Sequence, residues 1–233
     1  MKPTLACLAL LIAVPGAFAD QPPVQIALGP LLNARIVTTL TAGRLVPWRD
    51  ALDGVTSGEA TRAAALRIGQ PFSLALPDDG VFPATDRHPL VKLAFSNAEG
   101  GSNQVRRSLS EDAYAIPVPP GRYGQFWIFV MSGNGESTLR LRLSYADGHG
   151  EESSLVIPDW YFPVKDGEAR RVNLASDLGK WSSSSELMEK DHHYLHGFDL
   201  GPDPRRVLIS VRVSKTAKAV LTLWGATAVA AAP

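Results

Sequence analysis

Cysteine is almost absent from this sequence: the single one is Cys7, inside an N-terminal apolar stretch. No disulfide framework and no cysteine metal site can therefore organise the rest of the chain. A chain of this length can bury a full core without such staples. Net charge is also missing, since 23 basic and 23 acidic residues cancel. That balance gives no electrostatic reason to expect nucleic acid or an anionic membrane as partner. Apolar runs of transmembrane length, which need roughly 20 residues, do not occur. The sequence contains no Asn-x-Ser/Thr glycosylation acceptor, and it lacks a Gly-x-Ser-x-Gly elbow, a phosphate-binding loop and a dinucleotide fingerprint, the last three of which argue against acyl-transfer and nucleotide-dependent enzymes.

The N-terminus is distinctive. Lys2 precedes the apolar run Leu5 to Val14, which Pro15 and Gly16 break before Ala17-Phe18-Ala19. A positive start, a short apolar core and an A-x-A ending together describe a secretory signal peptide. The expectation is a leader over 1–19, cleavage after Ala19, and a secreted or periplasmic protein over 20–233 carrying no membrane-spanning segment. Thr4-Leu5-Ala6 fits a lipobox poorly, so Cys7 is expected to leave with the leader.

The rest reads as strands. In Thr138 to Tyr145, Leu139, Leu141, Leu143 and Tyr145 fall on one face, and Arg140, Arg142 and Ser144 on the other. Period two marks a half-buried strand. Asp147-Gly148 is a turn signal, and Ser153 to Ile157 reads as the returning strand. Gln125 to Met131 is apolar on both faces, as in a central strand covered on two sides. Val207, Ile209, Val211 and Val213 alternate with Leu208, Ser210 and Arg212, and Val220 to Trp224 forms a last strand, after which Ala226 to Pro233 is expected to fray. Pro77-Asp78-Asp79-Gly80, Pro119-Pro120-Gly121, Gly133-Asn134-Gly135 and Gly201-Pro202-Asp203-Pro204 punctuate these runs. Short helices are expected at Ser182 to Lys190, behind a serine cap, and at Glu59 to Ile68. The pattern predicts one all-β domain, an antiparallel β-sandwich with one or two short helices.

Several motifs also occur in a recognisable order. They are Leu32-Asn33-Ala34-Arg35-Ile36 with Gly43-Arg44, then Phe72 to Gly80 as a first core strand and turn, then Gly121-Arg122-Tyr123 and Gly133-Asn134-Gly135. Tyr145-Ala146-Asp147-Gly148, Pro158-Asp159-Trp160, His193-Tyr194-Leu195 and Val207 to Val213 complete the series. Over roughly residues 30–227 this order resembles bacterial extracellular β-sandwich domains of the galactose-binding-like, jelly-roll type, often found beside carbohydrate-active enzymes. The resemblance implies the fold and a carbohydrate setting; it does not imply the ligand.

Sugar-binding proteins stack flat aromatic faces on sugar rings and bond the hydroxyls with polar groups. Trp48, Trp160, Tyr161 and Trp181 lie beside expected loops, with Asp159 adjacent, and are candidates for such a site. For Asp159-Trp160 a capped turn with a core-plugging tryptophan is the stronger alternative, and Trp127 and Trp224 read as core. Asp191-His192-His193-Tyr194-Leu195-His196 gathers three of the five histidines. His192, His193 and Tyr194 join the candidate ligand-binding set, and a polar edge strand or a pH-sensitive surface is the alternative to a metal site there. A structural Ca²⁺ held by Asp50 and Asp53, or by Asp78 and Asp79, is weighed against turn formation, and no cofactor is assigned. The paired acids Asp78-Asp79, Glu111-Asp112 and Glu151-Glu152 are sequence neighbours, which point apart in extended chain, so no catalytic pair is assigned. The leading expectation is an exported, non-catalytic protein that binds carbohydrate or a cell-envelope glycan. The alternatives are a structural or protein-interaction module of the periplasm or cell surface, and a polysaccharide hydrolase or lyase.

Overall fold

The computed structural model describes residues 22–95, 101–165, 168–182, 186–216 and 218–232, without the side chains of residues 190–192. The expected leader, 1–19, lies outside the described residues.

In chain order the strands are β1 (Val24–Gln25), β2 (Val37–Thr41), β3 (Arg44–Val46), β4 (Glu59–Ala60), β5 (Val81–Phe82), β6 (Val91–Lys92), β7 (Arg106–Ser108) and β8 (Asp112–Gly121). They continue with β9 (Tyr123–Gly133), β10 (Ser137–Tyr145), β11 (Gly150–Ile157), β12 (Arg171–Trp181), β13 (Leu187–Asp199), β14 (Leu208–Lys215) and β15 (Val220–Ala230). One α-helix, α1 (Arg62–Arg67), accompanies them. The fold is an all-β antiparallel sandwich. One sheet has the order β1-β15-β9-β13-β12, with β7 also on β15; the facing sheet has the order β11-β10-β14-β8.

Alternation explains the layering. Phe126, Ile128 and Val130 of β9 point between the two sheets, where they meet Leu139, Leu141, Leu143, Val211 and Val213. Trp127, Phe129 and Met131 point the other way, into a second core closed by Ile36, Val37, Leu52, Leu93 and Val105 of the N-terminal half. The first sheet is thus covered on both faces, as its unbroken apolar runs require. A bulge between Leu223 and Gly225 switches β15 in phase: Leu221 and Leu223 enter one core, Trp224 the other, and Ala226 and Ala228 return to the first.

The facing sheet is covered on one side only. Leu139, Leu141, Leu143 and Tyr145 are buried while Arg140 and Arg142 are exposed, as the alternation predicts. Gly148, at φ +84°, turns β10 into β11, and Asp147 accepts the amide hydrogen of His149. Pro117 and Pro119 lie on the exposed side of β8, the sheet's edge strand, where a missing amide hydrogen costs least.

Five sequence expectations need correction. Ser182 to Lys190 is not a helix: Leu187–Asp199 is strand, and Lys180 pairs with Glu189 and Trp181 with Leu187. The serine signal belongs to a hairpin turn, closed by Ser182 N–H to Glu186 O and Glu186 N–H to Ser182 Oγ; residues 183–185 lie outside the described residues. Within Glu59 to Ile68 the helix covers only Arg62–Arg67, because Glu59 and Ala60 pair in parallel with Val37 and Thr38. Phe72 to Gly80 is not a core strand; Phe72–Leu74 forms a 3-10 turn with Phe72 exposed. In β14 a bulge between Leu208 and Ser210 buries Leu208 and leaves Ile209 outside. Ala226 to Ala230 does not fray, since Thr227 and Ala228 pair with β9 on one side and β1 on the other.

Candidate functional site

The fold brings most of the expected site residues together, in two packed clusters. Asp159 sits where a parallel bridge joins it to Ser132; its carboxylate accepts the amide hydrogens of Gly135 at 2.5 Å and Tyr161 at 3.1 Å. That anchors Trp160 and Tyr161 over the first half of β13. The His193 ring lies 4.3 Å from Trp160 and 4.6 Å from Tyr161, and His193 Nδ1 donates to Leu178 O at 2.9 Å. Tyr161 OH donates to Glu189 Oε2 at 2.9 Å and accepts from Lys180 Nζ at 3.3 Å. Burial, reinforced by the Glu189 carboxylate, pushes the phenol pKa up, so it stays protonated as a tie between β13 and the 158–165 segment. The second cluster joins Trp48 to Trp181: the Trp48 indole donates to Trp181 O at 3.2 Å and Ser182 O at 2.9 Å.

Both clusters turn their rings inward. Trp48, Trp160 and Trp181 are 8%, 1% and 0% exposed, so their flat faces lie against protein rather than open to a sugar. Tyr161 is half-buried, and Tyr194 stacks on His196. His193 and His196 are buried on opposite faces of β13, so the histidine run does not converge. His196 Nδ1 donates to Asn173 Oδ1 at 3.2 Å, and burial pushes its pKa down to about 4. The side chains of Asp191 and His192 lie outside the described residues. Among the described residues no three His, Cys, Asp or Glu side chains gather as a metal site. The aspartates weighed for Ca²⁺ serve the backbone: Asp53 Oδ1 accepts from Val55, Thr56 and Ser57, Asp50 from Arg35, Asp78 from Ala63 and Asp79 from Val81.

The accessible polar site lies elsewhere, on the open face of the β11-β10-β14-β8 sheet. A shallow trough of about 1080 Å³ runs across it. Arg140, Arg142 and Arg212 line it together with Ser144, Ser154, Ser210 and Ser214, and no aromatic residue takes part. Strand register sets the arrangement. Arg140 stands between Ser154 and Ser214, Arg142 between Glu152 and Arg212, and Ser144 between Gly150 and Ser210. Neighbouring strands are about 4.8 Å apart and alternate residues about 7 Å apart along a strand, so the polar groups form a grid. Arg142 Nη1 donates to Glu152 Oε1 at 2.8 Å. Among the described residues Arg140 and Arg212 have no ion-pair partner. The grid presents guanidinium and hydroxyl groups to water.

The alternation of Arg140, Arg142 and Ser144 was visible in sequence as the polar side of a strand. The signal that it is a surface with chemistry is its repetition on β14, as Ser210, Arg212 and Ser214. Pairing β10 with β14 in register, which one sequence does not reveal, brings the two rows side by side. Compared with family models and with curated proteins, the chain matches none of them.

Proposed function

We propose that this is an exported, non-catalytic β-sandwich protein that binds a glycan along the open face of its one-sided sheet. The observation that carries this reading is the trough lined by Arg140, Arg142, Arg212 and five serines. Hydroxyl and guanidinium groups in a fixed grid are suited to the hydroxyls and acid groups of a saccharide, and a strand scaffold holds such groups in place without a mobile loop. The N-terminal leader pattern supports export to the periplasm or beyond. The two facing antiparallel sheets are compatible with a jelly roll, the architecture to which the ordered motifs have their resemblance.

The test uses bulk without charge. Ser154 and Ser210 sit on the trough floor, and isoleucine there suits a strand while filling the space. A glycan panel is expected to yield at least one bound polysaccharide, with affinity falling at least tenfold in S154I/S210I. Binding that survives this double substitution, or no retention of any glycan, contradicts the reading.

A further inference from the structure

We infer that the ligand is an acidic polysaccharide, its anionic groups received by Arg140 and Arg212 and its chain continuing over the β11 edge to Arg170 and Arg171. This rests on the trough being the glycan site.

Three observations carry it. First, Arg142 and Arg212 are register partners on adjacent strands. Like charges directly opposite each other destabilise a sheet, and Glu152 answers only Arg142. An anion over Arg212 relieves the repulsion that the fold leaves in place. Second, the trough has no aromatic platform. A neutral sugar chain gains much of its affinity by stacking, which this face cannot offer, whereas a carboxylate or sulfate gains charge-assisted, bidentate hydrogen bonds from a guanidinium.

Third, the trough does not stop at the sheet edge. A second depression of about 230 Å³ shares Leu141, Ser153 and Ser154 with it and adds Arg170 and Arg171 on the far side. Arg170 holds a left-handed backbone, φ 67°, that residues with a side chain rarely adopt. Its side chain is 62% exposed and packs over Gly201, where a Cβ would clash with the Arg170 guanidinium. Gly201 thus leaves room for this guanidinium beside the depression. Arg171 is paired with Glu168 at 2.7 Å, and Arg170 lies 3.9 Å from Asp199, so the path is cationic without being uniformly so. A polymer with spaced acid groups fits it better than a single sugar. Nucleic acid fits it worse, because that binding draws on many free cations and on stacking aromatics.

The experiment is a binding titration of the folded protein with polygalacturonate, alginate, hyaluronan and chondroitin sulfate, each beside its carboxyl-reduced or desulfated counterpart, and with single-stranded DNA. At least one acidic polymer is expected to bind and its neutralised counterpart to bind at least tenfold more weakly. R140A/R212A is expected to lose roughly tenfold or more, since each arginine supplies a charged hydrogen bond. R170A is expected to weaken long chains more than short oligomers, and added salt to weaken all binding. Equal binding of the neutralised polymers, blocked by S154I/S210I but unchanged in R140A/R212A, would overturn this inference while leaving the glycan site standing. Retention of none of the polymers would remove both. DNA bound as tightly as the best polysaccharide would also overturn it.

Discussion

β13 and β10 both carry rows of polar side chains, and the two strands use them in opposite ways. β13 belongs to the sheet covered on both faces, so His193 and His196 are buried and tied to Leu178 O and Asn173 Oδ1. β10 belongs to the sheet covered on one face, so Arg140 and Arg142 stand in water. On a doubly covered strand a polar group must be satisfied by the protein itself, and its chemistry becomes a matter of stability. On an open face the same kind of group remains available to a ligand. The difference teaches that the denser motif, a histidine run beside tryptophans, is packed into the protein, while the plainer Arg-x-Arg-x-Ser row is left open to solvent.

The sharpest break of this contrast comes from Trp160. Trp160→Ala removes a ring buried between the first sheet and the 158–165 segment, and is expected to cost about 3–5 kcal/mol in urea unfolding. Glycan affinity of the molecules that remain folded should not change. A Trp160→Ala protein of normal stability that no longer binds glycan would reverse the assignment of the two regions.

His196 gives the next largest effect. Its pKa is held near 4 in the folded chain by burial, against about 6.5 when unfolded. The neutral ring's contribution is therefore complete above pH 6.5 and lost as pH falls toward 4, by up to about 3 kcal/mol. Unfolding midpoints of wild type and His196→Gln at pH 7.5 and 4.5 check this; the variant should lose less on acidification, and parallel losses would refute it.

Glu59 works in the opposite direction. It is fully buried on β4, neither carboxyl oxygen has a hydrogen-bond partner among the described residues, and burial alone holds its pKa well above the ordinary carboxyl range. Folding keeps the acid neutral while the unfolded chain ionises above about pH 4.5. Stability from this group is full below that pH and declines as pH rises toward the folded pKa, by about 1.4 kcal/mol per unit. Glu59→Gln is expected to flatten that decline and to be more stable than wild type at neutral pH, as read from thermal midpoints across pH 5–8.

The smallest effect belongs to the open face. R140A/R212A should change unfolding free energy by no more than about 0.5 kcal/mol, since neither side chain packs into the core. A larger loss would make these arginines structural and weaken the contrast with β13.

Much of the sandwich was legible in sequence because period-two alternation reports burial directly. Leu139 to Tyr145 and Gln125 to Met131 are the clear cases, the first covered on one face and the second on both. Bulges were not legible: one displaced residue in β14 exchanged Leu208 for Ile209, and another in β15 sent Trp224 and Ala226 to different cores. Ser182 to Lys190 misled because a serine that accepts an amide hydrogen from a residue shortly after it can begin a helix or close a hairpin, and the pairing of Lys180 with Glu189 decides between them. The candidate site was legible in part. Trp160, Tyr161 and His193 meet as packed side chains, and composition could not say that β13 is covered on both sides. The trough depended on the register of β10 with β14, a long-range pairing with no local signature.

The proposed glycan site is the open face of the β11-β10-β14-β8 sheet and not the Trp160–His193 cluster. Backbone amide chemical shifts followed while an acidic oligosaccharide is titrated into the protein test this directly. The largest changes are expected at residues 138–144, 150–155 and 208–215, with a smaller set at 169–171. Changes concentrated at 159–161 and 187–196, with residues 138–144 and 208–215 unmoved, would contradict the account.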